Sequence, residues 1–197
     1  MKRRHCGDIR GGVAVLALVM LFTLQGCSET PEYEGISEFY SGLESMTAKA
    51  EVVADFADYA TSFELDYSYD GENKSAVSVL SPEEISGVRV IMEESSSRIE
   101  YGDVSIEAGD AGALGLSPVA AIPELMRLWR GGIVSESGKE KLDETDCVTV
   151  TYKTEYDGEE LLCRTWFDAE TYKPVTASVF FKGRVTLTCN FKLVAFG

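Results

Sequence analysis

The sequence predicts an α+β domain, mainly antiparallel β. Three observations lead there: apolar and polar residues alternate in short runs from Thr47 onward, Gly and Asp turns separate the runs, and one long stretch carries helical spacing. Alternation with a period of two puts one face of a strand against a core and the other in water.

The chain begins differently. Lys2, Arg3, Arg4 and Arg10 flank the start of an apolar run from Val13 to Leu24, closed by Gln25-Gly26-Cys27. A basic tip, an apolar core and a small residue, in that order, make a secretion signal. The core of about a dozen residues is shorter than the roughly 20 that a membrane-spanning helix needs. Residues 1–26 are therefore read as a cleaved signal. Leu24-Gln25-Gly26-Cys27 resembles the lipobox of bacterial lipoprotein precursors. That resemblance implies that Cys27 becomes the first mature residue and carries diacylglyceryl and acyl (palmitate-type) lipid. More than one acyl chain makes attachment to a membrane stable. The expected location is the extracytoplasmic face of the cell membrane. Ser28 replaces the aspartate of the Gram-negative inner-membrane retention signal, so the outer membrane stays open. Residues 27–35, polar with Pro31 and Gly35, read as a lipidated tether, and residues 36–197 as one domain.

Without residues 1–26, the 18 basic and 33 acidic residues become 14 and 32, a formal charge near −18. Nucleic acid binds through Lys and Arg that neutralise phosphates, so no nucleic-acid partner is expected. The only histidine, His5, lies in the signal. Its removal excludes Ser-His-Asp and Cys-His catalysis and histidine-containing zinc sites, and no catalytic residue, metal or cofactor beyond the lipid on Cys27 is expected. Asp66-x-Ser68-x-Asp70-Gly71 echoes the start of a calcium loop. Its twelfth position is Val77, however, and a hairpin turn fits better.

Ile36 to Leu43 is a weak helical candidate leading into a strand from Thr47 to Asp55. Phe63, Leu65, Tyr67 and Tyr69 share one face of the next strand, which ends at Asp70-Gly71, and Lys74 to Leu80 pairs back onto it. Ser81-Pro82-Glu83-Glu84 reads as N-cap, first-turn proline and capping-box glutamate of a one-turn helix ended by Gly87. Short strands follow at Val88–Glu93, Ser97–Tyr101 and Val104–Ala108. Ser117-Pro118 starts the main helix, in which Val119, Ile122, Leu125, Met126 and Trp129 recur at helical spacing, Arg127 and Arg130 face away, and Gly131-Gly132 stops the run. Pro123 delays its regular part.

Around Asp157-Gly158 a two-residue turn sets Tyr152 opposite Cys163 and brings Val148, Val150 and Tyr152 onto one face with Leu161, Cys163, Thr165 and Phe167. A three-residue Lys182-Gly183-Arg184 loop would pair Phe181 with Val185, Val179 with Leu187 and Ala177 with Cys189. These registers put Cys147 on the face opposite Cys163. They also separate Cys163 from Cys189 by the strand Val175–Phe181, two spacings of about 4.8 Å, beyond the reach of a disulfide at about 7 Å. Three free thiols are predicted.

Phe63-Glu64-Leu65-Asp66-Tyr67-Ser68-Tyr69-Asp70-Gly71, Ser81-Pro82-Glu83-Glu84-Ile85-Ser86-Gly87-Val88, Leu116-Ser117-Pro118 and Thr165-Trp166-Phe167-Asp168-Ala169-Glu170-Thr171 with Pro174 occur in an order that resembles the LolA/LolB lipoprotein-carrier superfamily, from about residue 45 onward. The resemblance implies a curved, incomplete β-barrel covered by one or two helices, whose concave apolar space holds acyl chains without chemistry. It makes Phe63, Leu65, Tyr67, Leu125, Met126 and Trp129 the candidate lining and a lipid or lipoprotein acyl group the ligand. An amphipathic helix on a sheet is also ordinary packing, so the same six residues read first as core. LolA itself is a soluble shuttle, whereas a lipidated chain fits a fixed acceptor. The alternative is a cell-surface interaction or sensor module with a packed interior and no small-molecule ligand. The space beneath the Trp129 helix separates the two.

Overall fold

A computed structural model describes residues 32–56, 58–72, 74–93, 96–109 and 116–197. The signal, Cys27 and the first part of the tether lie outside the described residues. Helix α1 (Glu32–Ser41) leads into β1 (Met46–Asp55), β2 (Ala60–Tyr69), β3 (Ser75–Ser81), β4 (Arg89–Glu93), β5 (Ser96–Tyr101) and β6 (Val104–Gly109). Helix α2 (Pro118–Gly131) then connects to β7 (Ile133–Leu142), β8 (Thr145–Tyr156), β9 (Glu159–Asp168), β10 (Pro174–Phe181) and β11 (Arg184–Phe196).

All the strands join one antiparallel sheet in the order β6-β5-β4-β3-β2-β1-β11-β10-β9-β8-β7. The first and last strands of the chain meet in its middle, Met46 opposite Phe196 and Val52 opposite Cys189. β6 and β7 end the sheet without pairing to each other, so the barrel is incomplete. The inner face is read directly from alternation: Met46, Ala48, Ala50, Val52 and Ala54 of β1 are all buried, and small side chains there leave room for a helix to approach.

Helix α2 supplies that cover. Ile122, Leu125, Met126 and Trp129 are buried, and so are Ala121 and Leu128. Burial therefore extends beyond the single stripe that spacing predicts, because α1 packs against α2 and the Ser41 hydroxyl donates to the Arg130 carbonyl at 2.7 Å. Arg127 is exposed and pairs with Glu124 at 2.6 Å. Arg130 does not face away as expected; its guanidinium lies 5.1 Å from the centre of the Tyr69 ring. The helix also runs through Pro123 from Pro118, since a proline one turn in removes a single backbone hydrogen bond.

Other expectations are corrected locally. Residues 32–35, assigned to the tether, form the first turn of α1, where Tyr33 packs against the core. Ser81 ends β3 instead of capping a helix; after a cis Ser81–Pro82 peptide the chain makes only a 3₁₀ turn at Glu83–Ile85 with no side-chain cap. Gly87 closes it at φ +88, donating its N–H to Val79 O at 2.9 Å. Asp70 accepts from the Glu72 N–H at 3.1 Å in the β2–β3 turn, while Asp66 pairs with Lys49, so the calcium-like run is a hairpin.

The β8–β9 register is the predicted one, Tyr152 opposite Cys163 and Val148 opposite Phe167. In the β10–β11 hairpin the turn is the two-residue Lys182-Gly183, both at positive φ, with Phe181 opposite Arg184. A bulge at Val179/Phe180 then restores the expected partners Leu187 and Cys189, because one skipped residue keeps the apolar set on the inner face. Cys147, Cys163 and Cys189 are free and buried. Burial raises the Cys163 and Cys189 thiols to about 12, with the Glu124 carboxylate adding to the effect at Cys163 and Cys163 at Cys189.

Candidate functional site

The six residues predicted to line a ligand do come together. Leu65, Tyr67, Leu125, Met126 and Trp129 are buried and Phe63 is half-buried against the same cluster. They come together as packed core. The Trp129 ring lies 5.1 Å from Tyr40, 5.3 Å from Phe167 and 5.8 Å from Phe191 between ring centres. Its N–H donates to the Thr165 hydroxyl at 2.9 Å, and Thr165 is itself fully buried. Below it, the Tyr67 and Ser75 hydroxyls are 3.0 Å apart. The Tyr40 hydroxyl donates to Tyr172 O at 2.8 Å, which ties α1 to the β9–β10 loop. Side chains thus occupy the space between α2 and β1, β2, β9 and β11.

The inner face does not stay covered. β4, β5 and β6 carry it sideways past α2, with Val90 opposite Ile99 and Ile99 opposite Ile106. Directly paired residues project to the same side of a sheet, so these three form one row. Exposure climbs along it, from 1% at Val90 through half-buried Ile99 to 60% at Ile106. The next row repeats this pattern at the hairpin tip, where Tyr101 faces Val104 and the two are 56% and 58% exposed. The Tyr101 ring passes over Gly87, where an added Cβ would sit 3.7 Å from it. Tyr101, Val104 and Ile106 thus make an apolar surface continuous with the core through Ile99.

Sequence reasoning found the strands and missed this surface. Val104, Ile106 and Ala108 alternate as a buried face would, and alternation alone does not say whether anything lies on top. The signal that bears on it is arithmetic: among the described residues two helices lie against eleven strands, and strands most distant from both are the ones left open.

On the outer face a depression of about 660 Å³ is lined by Thr47, Lys49, Asp66, Ser68, Arg89 and Leu193, together with Ala76, Val194 and Ala195. A second, of about 580 Å³, lies between Gly35 and Phe39 of α1 and Tyr172. Neither includes Leu125, Met126 or Trp129.

No family model and no curated protein sequence matches this chain. Solved structures do. An uncharacterized conserved protein from Thermus thermophilus superimposes with a TM-score of 0.52 at 8% identity, covering 84% of this chain and 85% of that one. A DUF1329 family protein from Desulfovibrio piger gives 0.51 at 10%, covering 84% and 91%. A LolA superfamily protein from Nitrosomonas europaea gives 0.46 at 12%, covering 84% and 92%. The open antiparallel sheet with its two covering helices, the incomplete barrel that the resemblance implied, is the architecture this chain shares with the Thermus thermophilus and Desulfovibrio piger proteins. Among the described residues no helix is long and apolar enough to cross a membrane.

Proposed function

We propose that this chain is an extracytoplasmic lipoprotein, anchored through acyl chains on Cys27, that binds an apolar ligand non-catalytically on the uncovered end of its inner sheet face. The observation that carries this reading is the row from Val90 to Ile106, buried at one end and open at the other. Each methylene a ligand buries there contributes about 0.8 kcal/mol, so an acyl chain laid along Ile99, Tyr101, Val104 and Ile106 binds without any hydrogen-bonding group. Phe63, Leu65, Tyr67, Leu125, Met126 and Trp129 would line a ligand only with α2 lifted from the sheet, which would break the Trp129–Thr165 hydrogen bond.

The test uses protein lacking residues 1–27 and dansyl-undecanoic acid as the probe. Saturable fluorescence enhancement is expected, weakened roughly tenfold or more, about 1.4 kcal/mol, in the double variant Val104→Ser/Ile106→Ser. Unchanged binding in that variant, with loss in Met126→Ala, would move the site beneath α2. For the anchor, Cys27→Ser in the full-length chain should shift the protein from the detergent to the aqueous phase or leave an uncleaved precursor. Normal processing and unchanged partitioning would refute lipidation at Cys27.

A further inference from the structure

We infer that β6 is a docking strand: it accepts an extended segment of a partner protein whose residues alternate between apolar and basic. This inference rests on the same exposed surface and goes beyond the apolar ligand proposed above, because it adds the free backbone edge beside that surface. β6 is the end of the sheet and pairs only with β5 among the described residues. Half of its backbone N–H and C=O groups therefore point outward, the template that an added strand uses. The strand is held ready, because the Ser97 hydroxyl donates to Gly109 O at 3.1 Å while Val104 and Ile106 remain open.

The two ends of the sheet are guarded differently. Across β7, the other edge, run Glu136, Lys139, Glu140 and Lys141, charges of both signs that discourage further pairing. Val104-Ser105-Ile106-Glu107-Ala108 carries one charge and two exposed branched side chains. An added strand must place apolar residues beside Val104 and Ile106 to extend the inner row. On its other face it meets Ser105 and Glu107, next to Glu100 and Arg98, which pair with each other at 3.0 Å. Exposed Arg89 stands opposite Glu100, so Arg89 and Arg98 offset Glu100 and Glu107 on that face, while the chain as a whole carries −15. Complementary charge is therefore basic. A second copy of this chain would instead bring two Glu107 carboxylates onto one face and add like net charge. An anionic lipid surface is repelled by the same carboxylates.

The probe is a labelled hexapeptide of alternating Val and Lys, about the 20 Å length of β6 at 3.3 Å per residue. Added to protein lacking residues 1–27, it should bind with salt-sensitive affinity and slow amide hydrogen exchange in residues 104–109. A version N-methylated at every second residue, on the edge facing β6, should bind at least tenfold more weakly. So should the unmethylated peptide with the variant Val104→Lys/Ile106→Lys, whose exposed positions leave thermal stability unchanged. Unaltered exchange in 104–109, or equal binding by the N-methylated peptide, would overturn strand docking. If dansyl-undecanoic acid still binds at Val104 and Ile106 in that case, the apolar surface stands and only its occupant is wrong; if neither probe binds, both fail. Concentration-dependent dimers abolished by Val104→Lys/Ile106→Lys would replace the partner with a second copy and refute it.

Discussion

Two stretches of one sheet face carry similar residues and end in opposite environments. Under α2, the inner face of β1, β2, β9 and β11 is closed by Leu125, Met126 and Trp129, with Trp129 hydrogen-bonded to Thr165 and Tyr67 to Ser75. Beyond α2, the same alternation on β5 and β6 meets solvent at Tyr101, Val104 and Ile106. The difference teaches that apolar patterning marks which side of a strand faces inward. A covering element decides whether inward means buried. Burial is concentrated in the first stretch and exposed apolar surface in the second.

Replacing Trp129 gives the largest effect by which to break this contrast. Trp129→Ala should cost about 3–5 kcal/mol, read as a lowered urea midpoint with an unchanged slope. A loss below about 1 kcal/mol would mean that the ring sits on a ligand cavity and that the two stretches are alike. Thr165→Val comes next: it strands the indole N–H in the core, for about 1–3 kcal/mol. An unaffected midpoint would show water at that position.

The pH dependence probes the same packed region. Cys163 and Cys189 are raised to about 12 from 9.0, and burial, as the leading cause, raises Tyr40, Tyr67 and Tyr152 above 10.0. These groups stay protonated in the folded chain while the unfolded chain releases their protons. Their contribution is complete below about pH 9 and is lost as pH rises toward 12. Urea midpoints should fall steadily from pH 8.5 to 10.5, less so in Cys163→Ala/Cys189→Ala, and both thiols should resist iodoacetamide at pH 8 until the chain unfolds. Fast labelling of the folded protein would show an opening beneath α2. The smallest effect belongs to the other stretch, where Val104→Ser/Ile106→Ser should change stability by no more than about 0.5 kcal/mol. A larger loss would mean that the hairpin is covered.

What was legible in the sequence was whatever a local period encodes. The two hairpins around Gly71 and Gly158, the inward sets of β1, β2, β8 and β9, the inward face of α2 and the isolation of Cys147, Cys163 and Cys189 follow from alternation, turn residues and strand spacing. β7 was not legible. Ser135-Glu136-Ser137-Gly138-Lys139-Glu140-Lys141 is polar throughout and mostly exposed, so no period betrays an edge strand that borrows its order from backbone bonds to β8. Likewise, residues 147–152 of β8 are buried on both faces, and over Thr151 the cover comes from Arg164, which donates to its hydroxyl at 3.0 Å from the neighbouring strand. The placement of Arg130 over Tyr69, the burial of Ala121 and Leu128 of α2 beyond the predicted stripe, and the exposure of Ile106 depend on where α1 and α2 lie across the sheet. Those are sums over long-range contacts, and no window of sequence contains both partners.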